Sequence, residues 1–184
     1  MGTGAWAWAI GGAILAFGIG WLYNRLVSDR NLVHQAFADI DVQLKRRADL
    51  VPQLVEAVKG YAGHEKALLA SVAELRSSAV QAAAGADAGR FRAERELGRQ
   101  LQQVLLLHEA YPQLKADANF RDLSAKLVEV EDHLQHARRF YNGAVKQYRN
   151  RLEVFPDTLV ARLFGFKALP FFETDDRAPV RVAL

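Results

Sequence analysis

The chain has 184 residues, a net charge of +3 and no cysteine. Without cysteine, the sequence excludes disulfides, thiolate catalysis, zinc–thiolate sites and a lipidated N-terminal cysteine. The small net charge, with acidic and basic residues interspersed, argues against a nucleic-acid partner, because nucleic-acid-binding surfaces are denser in basic residues and one-sided.

The N-terminal segment is apolar and uncharged. Ala5 to Tyr23 reads AWAWAIGGAILAFGIGWLY, nineteen residues without a charge. As a helix this segment is about 28 Å long, close to the hydrocarbon thickness of a bilayer. Tryptophans near its start, with Trp21 and Tyr23 at its end, are typical of the aromatic residues at the two membrane interfaces. Residues 1–23 are therefore predicted to be a retained transmembrane anchor in contact with the lipid bilayer.

A cleaved signal peptide is the alternative for this segment. A signal peptide has a basic start, a shorter apolar core and a small-residue cleavage site. Residues 1–4 contain no Lys or Arg, and the apolar run continues into helical sequence without an A-x-A site. The sequence favours the anchor.

Basic residues follow the anchor and predict its orientation. Arg25 and Arg30 come first, and Lys45, Arg46 and Arg47 lie further along the chain. The positive-inside rule then places the C-terminal body in the cytoplasm and the N-terminus outside.

One face of the anchor carries small residues. Gly12, Ala16 and Gly20 form two overlapping small-xxx-small spacings, which let membrane helices approach closely. This pattern predicts a homo-oligomer. The alternative is that Gly and Ala are simply common in such helices.

Residues 24–154 have the apolar periodicity of helices. Apolar residues recur at alternating spacings of four and three from Val33 to Tyr61, as in a coiled coil. A second helix follows, and the small residues of AAAGADAG at 82–89 predict a loop. Two further helices follow the loop.

The ends of the last two helices have recognisable residues. Pro112 is predicted to terminate the third helix, and Asp117 or Asn119 to cap the fourth, which extends to about Leu152. Four helices with short connections favour an antiparallel bundle. The predicted fold is therefore all-α: a transmembrane helix, a long antiparallel four-helix bundle, and a short C-terminal helix and tail at 155–184.

Arg47 occupies a core-facing position of the first helix, where an apolar residue is expected. A buried guanidinium must either pair with a carboxylate, for which Glu129, Glu131 and Asp132 are candidates, or extend out of the bundle. The alternative is a groove in which Lys45, Arg46 and Arg47 bind an anionic lipid or partner.

The C-terminal segment FPDTLVARLFGFKALPFF, residues 155–172, is unusually apolar. Asp157 or Thr158 is predicted to cap a short helix that Gly165 ends. The side chains must be buried against the long helices, or dock on the membrane or a neighbouring subunit. The candidate docking residues are Phe155, Leu159, Leu163, Phe164, Phe166, Phe171 and Phe172.

The ionisable residues do not form a recognisable catalytic or metal site. His133 and His136 share a helix face with Glu129 and Asp132, but no second ligand pair accompanies them. Nucleophile-elbow, P-loop and dinucleotide-binding motifs are absent from the sequence. We therefore predict no catalytic residue, no cofactor and no metal.

Four sequence blocks resemble the LemA family. They are YNRLVSDRNLVHQAFADIDVQLKRRADLVPQLVEAVKGYAGHE, EAYPQLKADANFRDL, ARRFYNGAVKQYRN and FPDTLVARLFGF…PFFE, between Tyr23 and Glu173. The resemblance implies a bacterial, single-pass inner-membrane protein with a helical-bundle domain, and implies no reaction. One branch of the family resembles magnetosome-membrane proteins involved in shaping membrane.

Two functions from different classes remain. The first is a non-enzymatic, self-associating scaffold at the cytoplasmic face of a bacterial membrane. The alternative is an adaptor, monomeric or a small oligomer, that presents the bundle to an unidentified cytoplasmic client such as a membrane protease or sensor. Oligomer size in detergent distinguishes the two.

Overall fold

The computed structural model describes residues 3–61, 65–81 and 88–172, and within these ranges every regular element is an α-helix. This confirms the all-α prediction for the described part of the chain. The helices are α1 Thr3–Lys59, α2 Lys66–Gln81, α3 Ala88–Ala110, α4 Pro112–Ala116, α5 Ala118–Glu153 and α6 Asp157–Leu163.

Helix α1 contains both the predicted anchor and the first helix of the body. It runs for 57 residues from Thr3 to Lys59, with Pro52 inside it. It includes an 18-residue window with a mean hydropathy of 1.3, of which 6% is buried in the protein. By length and composition, α1 is thus able to cross a membrane.

The boundaries around α3 and α4 correct the extent of one loop, whereas α3 ends at Ala110, before Pro112, as predicted. Helix α3 begins at Ala88, so the loop predicted for residues 82–89 is wrong at its last two positions, and residues 82–87 lie outside the described ranges. Pro112 starts the short helix α4, a position where its missing N–H costs no intrahelical bond. The Asp117 cap is confirmed, because its Oδ1 accepts a hydrogen bond of 2.7 Å from the backbone N–H of Phe120.

The start of α6 also differs from the prediction. Its N-cap is Pro156, with no side-chain hydrogen bond, so neither Asp157 nor Thr158 acts as the cap. Asp157 is instead the first helical residue and is buried. The expected end is confirmed: Gly165 follows the helix with a φ of 71°, a left-handed conformation that glycine adopts without strain.

The chain divides into two compact units. The first contains α1 up to Phe37 together with Phe140–Leu169, that is, the C-terminal end of α5 and α6. Its buried side chains include Leu26 and Val33 of α1, Tyr148 of α5 and Val160 of α6.

The second unit contains Ala38–Arg139 and the described residues from Pro170 on. One hydrophobic core draws side chains from α1, α2, α3, α4 and α5. Its buried members are Val51, Leu54, Val55, Val58, Leu69, Val72, Ala79, Leu97, Leu101, Val104, Leu114, Phe120, Leu123 and Leu127. Each large apolar side chain that is fully buried stabilises the fold by about 1.5–3 kcal/mol.

Candidate functional site

Arg47 is buried in the second unit and bound by two carboxylates. Its side chain is 1% exposed, and its Nη2 lies 2.6 Å from Glu94 Oε2 on α3. The same nitrogen donates to the Glu94 carbonyl oxygen at 2.7 Å, and Nη1 lies 3.1 Å from Glu131 Oε2 on α5. Glu131 was one of three predicted partners, whereas Glu94 was missed. The arrangement neutralises the buried guanidinium, and it joins α1, α3 and α5.

Glu131 also pairs with a second, partly buried arginine. Its Oε1 lies 3.4 Å from Nη1 of Arg138. Burial lowers the pKa of Arg138 to about 10, although the negative charge of Glu131 acts in the opposite direction. The guanidinium carbon of Arg138 lies 4.6 Å from the ring centre of Phe172, which is a cation–π contact.

Phe172 is packed within the second unit. It is 1% exposed, and its ring centre lies 4.2 Å from that of Phe91 on α3. Phe172 was a candidate for docking on a membrane or a subunit, and its burial agrees instead with the alternative that the tail packs against the protein.

Two functional residues on α3, Arg90 and Glu94, were not predicted from the sequence, although both occupy core-facing positions of the helix. Arg90 lies four residues before Glu94, and Glu94 lies three residues before Leu97. Both charged residues are therefore on the same helix face as Leu97, nearer the start of α3. Both are buried: Glu94 pairs with Arg47, and Arg90 pairs with Asp41 of α1. Gly98 belongs to the same cluster, because a Cβ there would lie 2.9 Å from Arg47 Nη1.

The three residues of the predicted groove for an anionic partner do not share one environment. Lys45 and Arg46 are exposed on α1, whereas Arg47 is buried against carboxylates. A partner bound at Lys45 and Arg46 would therefore contact two exposed basic side chains and would not contact the Arg47 guanidinium directly.

The predicted oligomerisation residues lie on the exposed part of α1. Gly12, Ala16 and Gly20 are all solvent-accessible, and a Cβ built at Gly12 or Gly20 meets no atom within 4 Å. Trp8 and Trp21, near the two ends of the apolar segment, are 85% and 56% exposed. Except at its C-terminal end, the apolar surface of this segment is thus not covered by the described residues.

Helix α6 packs against α1 at the end of the apolar segment. Val160 and Ala161 form a buried cluster with Leu26, and Ile19 and Leu22 pack against that cluster. This contact agrees with the predicted packing of the tail on the long helices.

Aromatic rings extend the contact between α6 and α1. Tyr23 has its ring centre 4.9 Å from that of Phe164 and 5.6 Å from that of Phe166. The guanidinium carbon of Arg30 lies 5.3 Å from the Phe166 ring centre. Phe166 and Phe171 are partly buried.

Four predicted docking residues remain exposed in the first unit. Phe155 and Leu163 are 74% and 73% exposed, and Leu159 and Phe164 are 59% and 51% exposed. A monomeric soluble protein rarely leaves so many large apolar side chains together in water.

A shallow polar cleft lies along α1 in the same unit. Asp29 is the one ionisable residue lining it, and this carboxylate is already bound to Arg151 and to Gln147 Nε2 at 3.1 Å. The cleft therefore offers hydrogen-bonding groups and no free acid or base. Its lining residues are Asn24, Val27, Ser28, Asp29, Asn31, Leu32, Gln35 and Gln147.

The histidines examined as ligands lie on the surface of α5. His133 Nε2 is 3.6 Å from a Glu129 carboxylate oxygen, and His136 contacts Arg139. In the described ranges, no cluster of three or more His, Asp and Glu side chains is arranged to hold a metal ion.

Comparison with known proteins agrees with the sequence blocks. The model of the LemA family matches residues 36–183. The chain is similar to magnetosome protein MamQ 2 of Paramagnetospirillum magneticum, with 22% identity over 175 residues. It is 20% identical over 174 residues to magnetosome protein MamQ of Magnetospirillum gryphiswaldense. Both matches cover 82% of this chain and 64% of the relative.

A third relative is named for the family itself. Protein LemA of Metamycoplasma hominis is 22% identical over 157 residues, which is 83% of this chain and 69% of that protein. The chain thus spans about 64% of the length of the MamQ relatives. The family match covers α2 to α6, most of the body segment of α1 and the C-terminal tail, and this chain belongs to the LemA family.

Proposed function

We propose that this chain is a single-pass membrane protein of a bacterial inner membrane, whose helical body acts as a self-associating scaffold and not as an enzyme. One observation carries the proposal. Helix α1 exposes its apolar segment and then, without interruption, buries Leu26 and Val33 in the protein. A lipid bilayer is the environment that satisfies the exposed part of such a helix.

The body is proposed to be an antiparallel four-helix bundle in the cytoplasm. The core shared by α1, α2, α3 and α5 supports the bundle, and the short connection from α3 to α5, which consists of residues 111–117 and includes α4, favours antiparallel neighbours. Membrane shaping is the form of scaffold that the resemblance to the LemA family implies.

Self-association is proposed to use Gly12, Ala16 and Gly20. Replacing Gly12 and Gly20 by Ile keeps the segment apolar but blocks close helix approach, so we expect a smaller oligomer in mild detergent. Gly11→Ile with Gly18→Ile is the matched control, because these residues lie on the opposite side of the helix. Light scattering measures the mass. An unchanged mass in the first variant would exclude this face as the contact.

Orientation is tested with a thiol reagent that does not cross membranes. The chain has no cysteine, so Ser78→Cys, on the exposed surface of α2, introduces a single thiol. A cytoplasmic body predicts no labelling in intact cells and full labelling after lysis. Labelling in intact cells would reverse the proposed topology.

An adaptor is the second candidate function. The exposed Lys45 and Arg46 favour it, because two cations on the surface of α1 suit an acidic client. Crosslinking in native membranes decides between the candidates: crosslinks between copies of this chain support the scaffold, and crosslinks from a monomer to another protein support the adaptor.

A further inference from the structure

We propose that α6 is a second membrane contact: a short helix that lies in the lipid–water interface and turns Phe155, Leu159, Leu163 and Phe164 toward the lipid. The inference rests on the proposed function in one respect, namely that α1 spans the bilayer. It adds a surface that α1 does not provide.

The depth of α6 follows from what it touches. Its buried residues Val160 and Ala161 belong to the cluster against which Ile19 and Leu22 pack, and both of these lie inside the uncharged segment that ends at Tyr23. Ile19 precedes Tyr23 by four residues, or roughly 6 Å along a helix. Interfacial helices sink their apolar face about 5–10 Å into the boundary between headgroups and acyl chains. A bilayer that surrounds Ile19 therefore reaches α6 as well.

The two faces of α6 suit this position. Asp157, Val160 and Ala161 are buried against the protein, whereas Leu159 and Leu163, one helical turn apart, point away from it. Phe155 before the helix and Phe164 after it extend the exposed apolar face. Phe164 also touches Tyr23, the aromatic residue at the end of the predicted span.

The charges near α6 match an anionic lipid surface. Within residues 23–30 and 155–167 the two acids, Asp29 and Asp157, are buried, and Glu153, two residues before this range, is an exposed acid. The cations in these segments are all exposed. They are Arg25, Arg30, Arg162 and Lys167. Basic residues bordering an apolar helix face are the usual pattern of helices that bind negatively charged membranes.

A second copy of the chain fits this face less well. In a two-fold contact the same patch meets itself, so Arg162 and Lys167 of one copy would face like charges on the other. Anionic headgroups instead neutralise these cations while acyl chains cover the leucines and phenylalanines.

Nitroxide spin labels on the full chain in vesicles of mixed zwitterionic and anionic lipid test the inference. Single labels are placed through Leu159→Cys and Leu163→Cys, which are exposed side chains, so the fold tolerates both. Relative collision rates with oxygen and with a water-soluble nickel complex give the depth of each label. We expect both labels roughly 5–10 Å below the phosphate level. A label at Ser78→Cys on α2 is the aqueous control.

A label at Ile14→Cys, in the middle of the apolar segment, reports on the span independently. Lipid exposure at Ile14 with full nickel accessibility at Leu159 and Leu163 would overturn the interfacial helix and leave the anchor intact. An aqueous Ile14 label would overturn both proposals. Low collision rates with both reagents at Leu163, with dipolar broadening between labels, would show a second copy on this face and would also overturn lipid contact.

Discussion

Arg47 of α1 and Glu94 of α3 form a buried ion pair, with Nη2 2.6 Å from Oε2 and side chains that are 1% and 6% exposed. Both terminal nitrogens of the guanidinium are bonded, because Nη1 also reaches Glu131 and Nη2 the backbone carbonyl of Glu94. A buried pair of this kind adds little net stability compared with apolar residues, but loss of one partner leaves the other charge buried and unpaired.

The first prediction concerns loss of one partner. Arg47→Met should lower the free energy of unfolding by about 3–5 kcal/mol, because Glu94 is left buried without its cation. The double variant Arg47→Met with Glu94→Met should recover part of that loss. Lys45→Met, on the exposed side of the same helix, is the matched control and should change little. Urea unfolding followed by circular dichroism measures each value, and a double variant that loses the sum of both single effects would contradict the pairing.

The second prediction concerns the glycine beside this pair. In Gly98→Ala the new Cβ would lie 2.9 Å from Arg47 Nη1, and that nitrogen is held by Glu131. Moving it strains both ion pairs, so we expect a loss of roughly 1–3 kcal/mol, typical of overpacking.

Gly143→Ala is the comparison for Gly98. Gly143 lies inside α5, and a Cβ there meets no atom within 4 Å. Alanine should therefore stabilise α5 by up to about 1 kcal/mol through its helix propensity. Equal effects at both glycines would show that the Arg47 side chain moves without cost.

The sequence predicted those elements well that depend on a local pattern within a single helix. The apolar segment of α1, the apolar stripe of α2 and the Asp117 cap of α5 are local features, each readable within a few residues. Arg90 and Glu94 behaved differently. They sit on the stripe of Leu97, but whether a charged residue there is buried depends on carboxylates and cations of other helices, which one helix pattern does not reveal.

In the C-terminal segment, too, the sequence did not predict which side chains are buried. Its composition indicates that the apolar side chains must be covered by the long helices, by a membrane or by a neighbouring subunit. The structure divides the residues: Phe172 lies under Arg138 against Phe91, whereas Leu163 is exposed on α6. That division depends on long-range packing, because both residues are large apolar side chains of the same apolar-rich segment, residues 155–172.

The third prediction is a pH dependence from Tyr141. Burial raises the pKa of this phenol to about 12 in the folded chain, against an ordinary value of 10.0. Between these values the folded state keeps the proton that the unfolded state has lost. The contribution of the Tyr141 phenol to the free energy of unfolding is therefore fully present below pH 10 and is lost as the pH rises toward 12.

Tyr141→Phe removes the titrating group and should make the stability fall less steeply above pH 10. Urea midpoints of the two proteins, measured on both sides of that pH, give the difference, since the lysines titrate in both. Parallel curves would show that the Tyr141 phenol ionises equally easily in the folded and unfolded chains.

The last prediction separates the two parts of the apolar tail. Phe172→Ala removes a ring that is 1% exposed and packed on Phe91 and Arg138, so the free energy of unfolding should fall by about 3–5 kcal/mol, as for other buried phenylalanines. Leu163→Ala, at 73% exposure, should leave the urea midpoint in detergent nearly unchanged. Circular dichroism during urea unfolding measures both. A large loss in Leu163→Ala would mean that α6 is covered by protein. A negligible loss in Phe172→Ala would mean that residues 170–172 leave the second unit in solution, because a ring that is held against Phe91 cannot be removed without leaving a cavity.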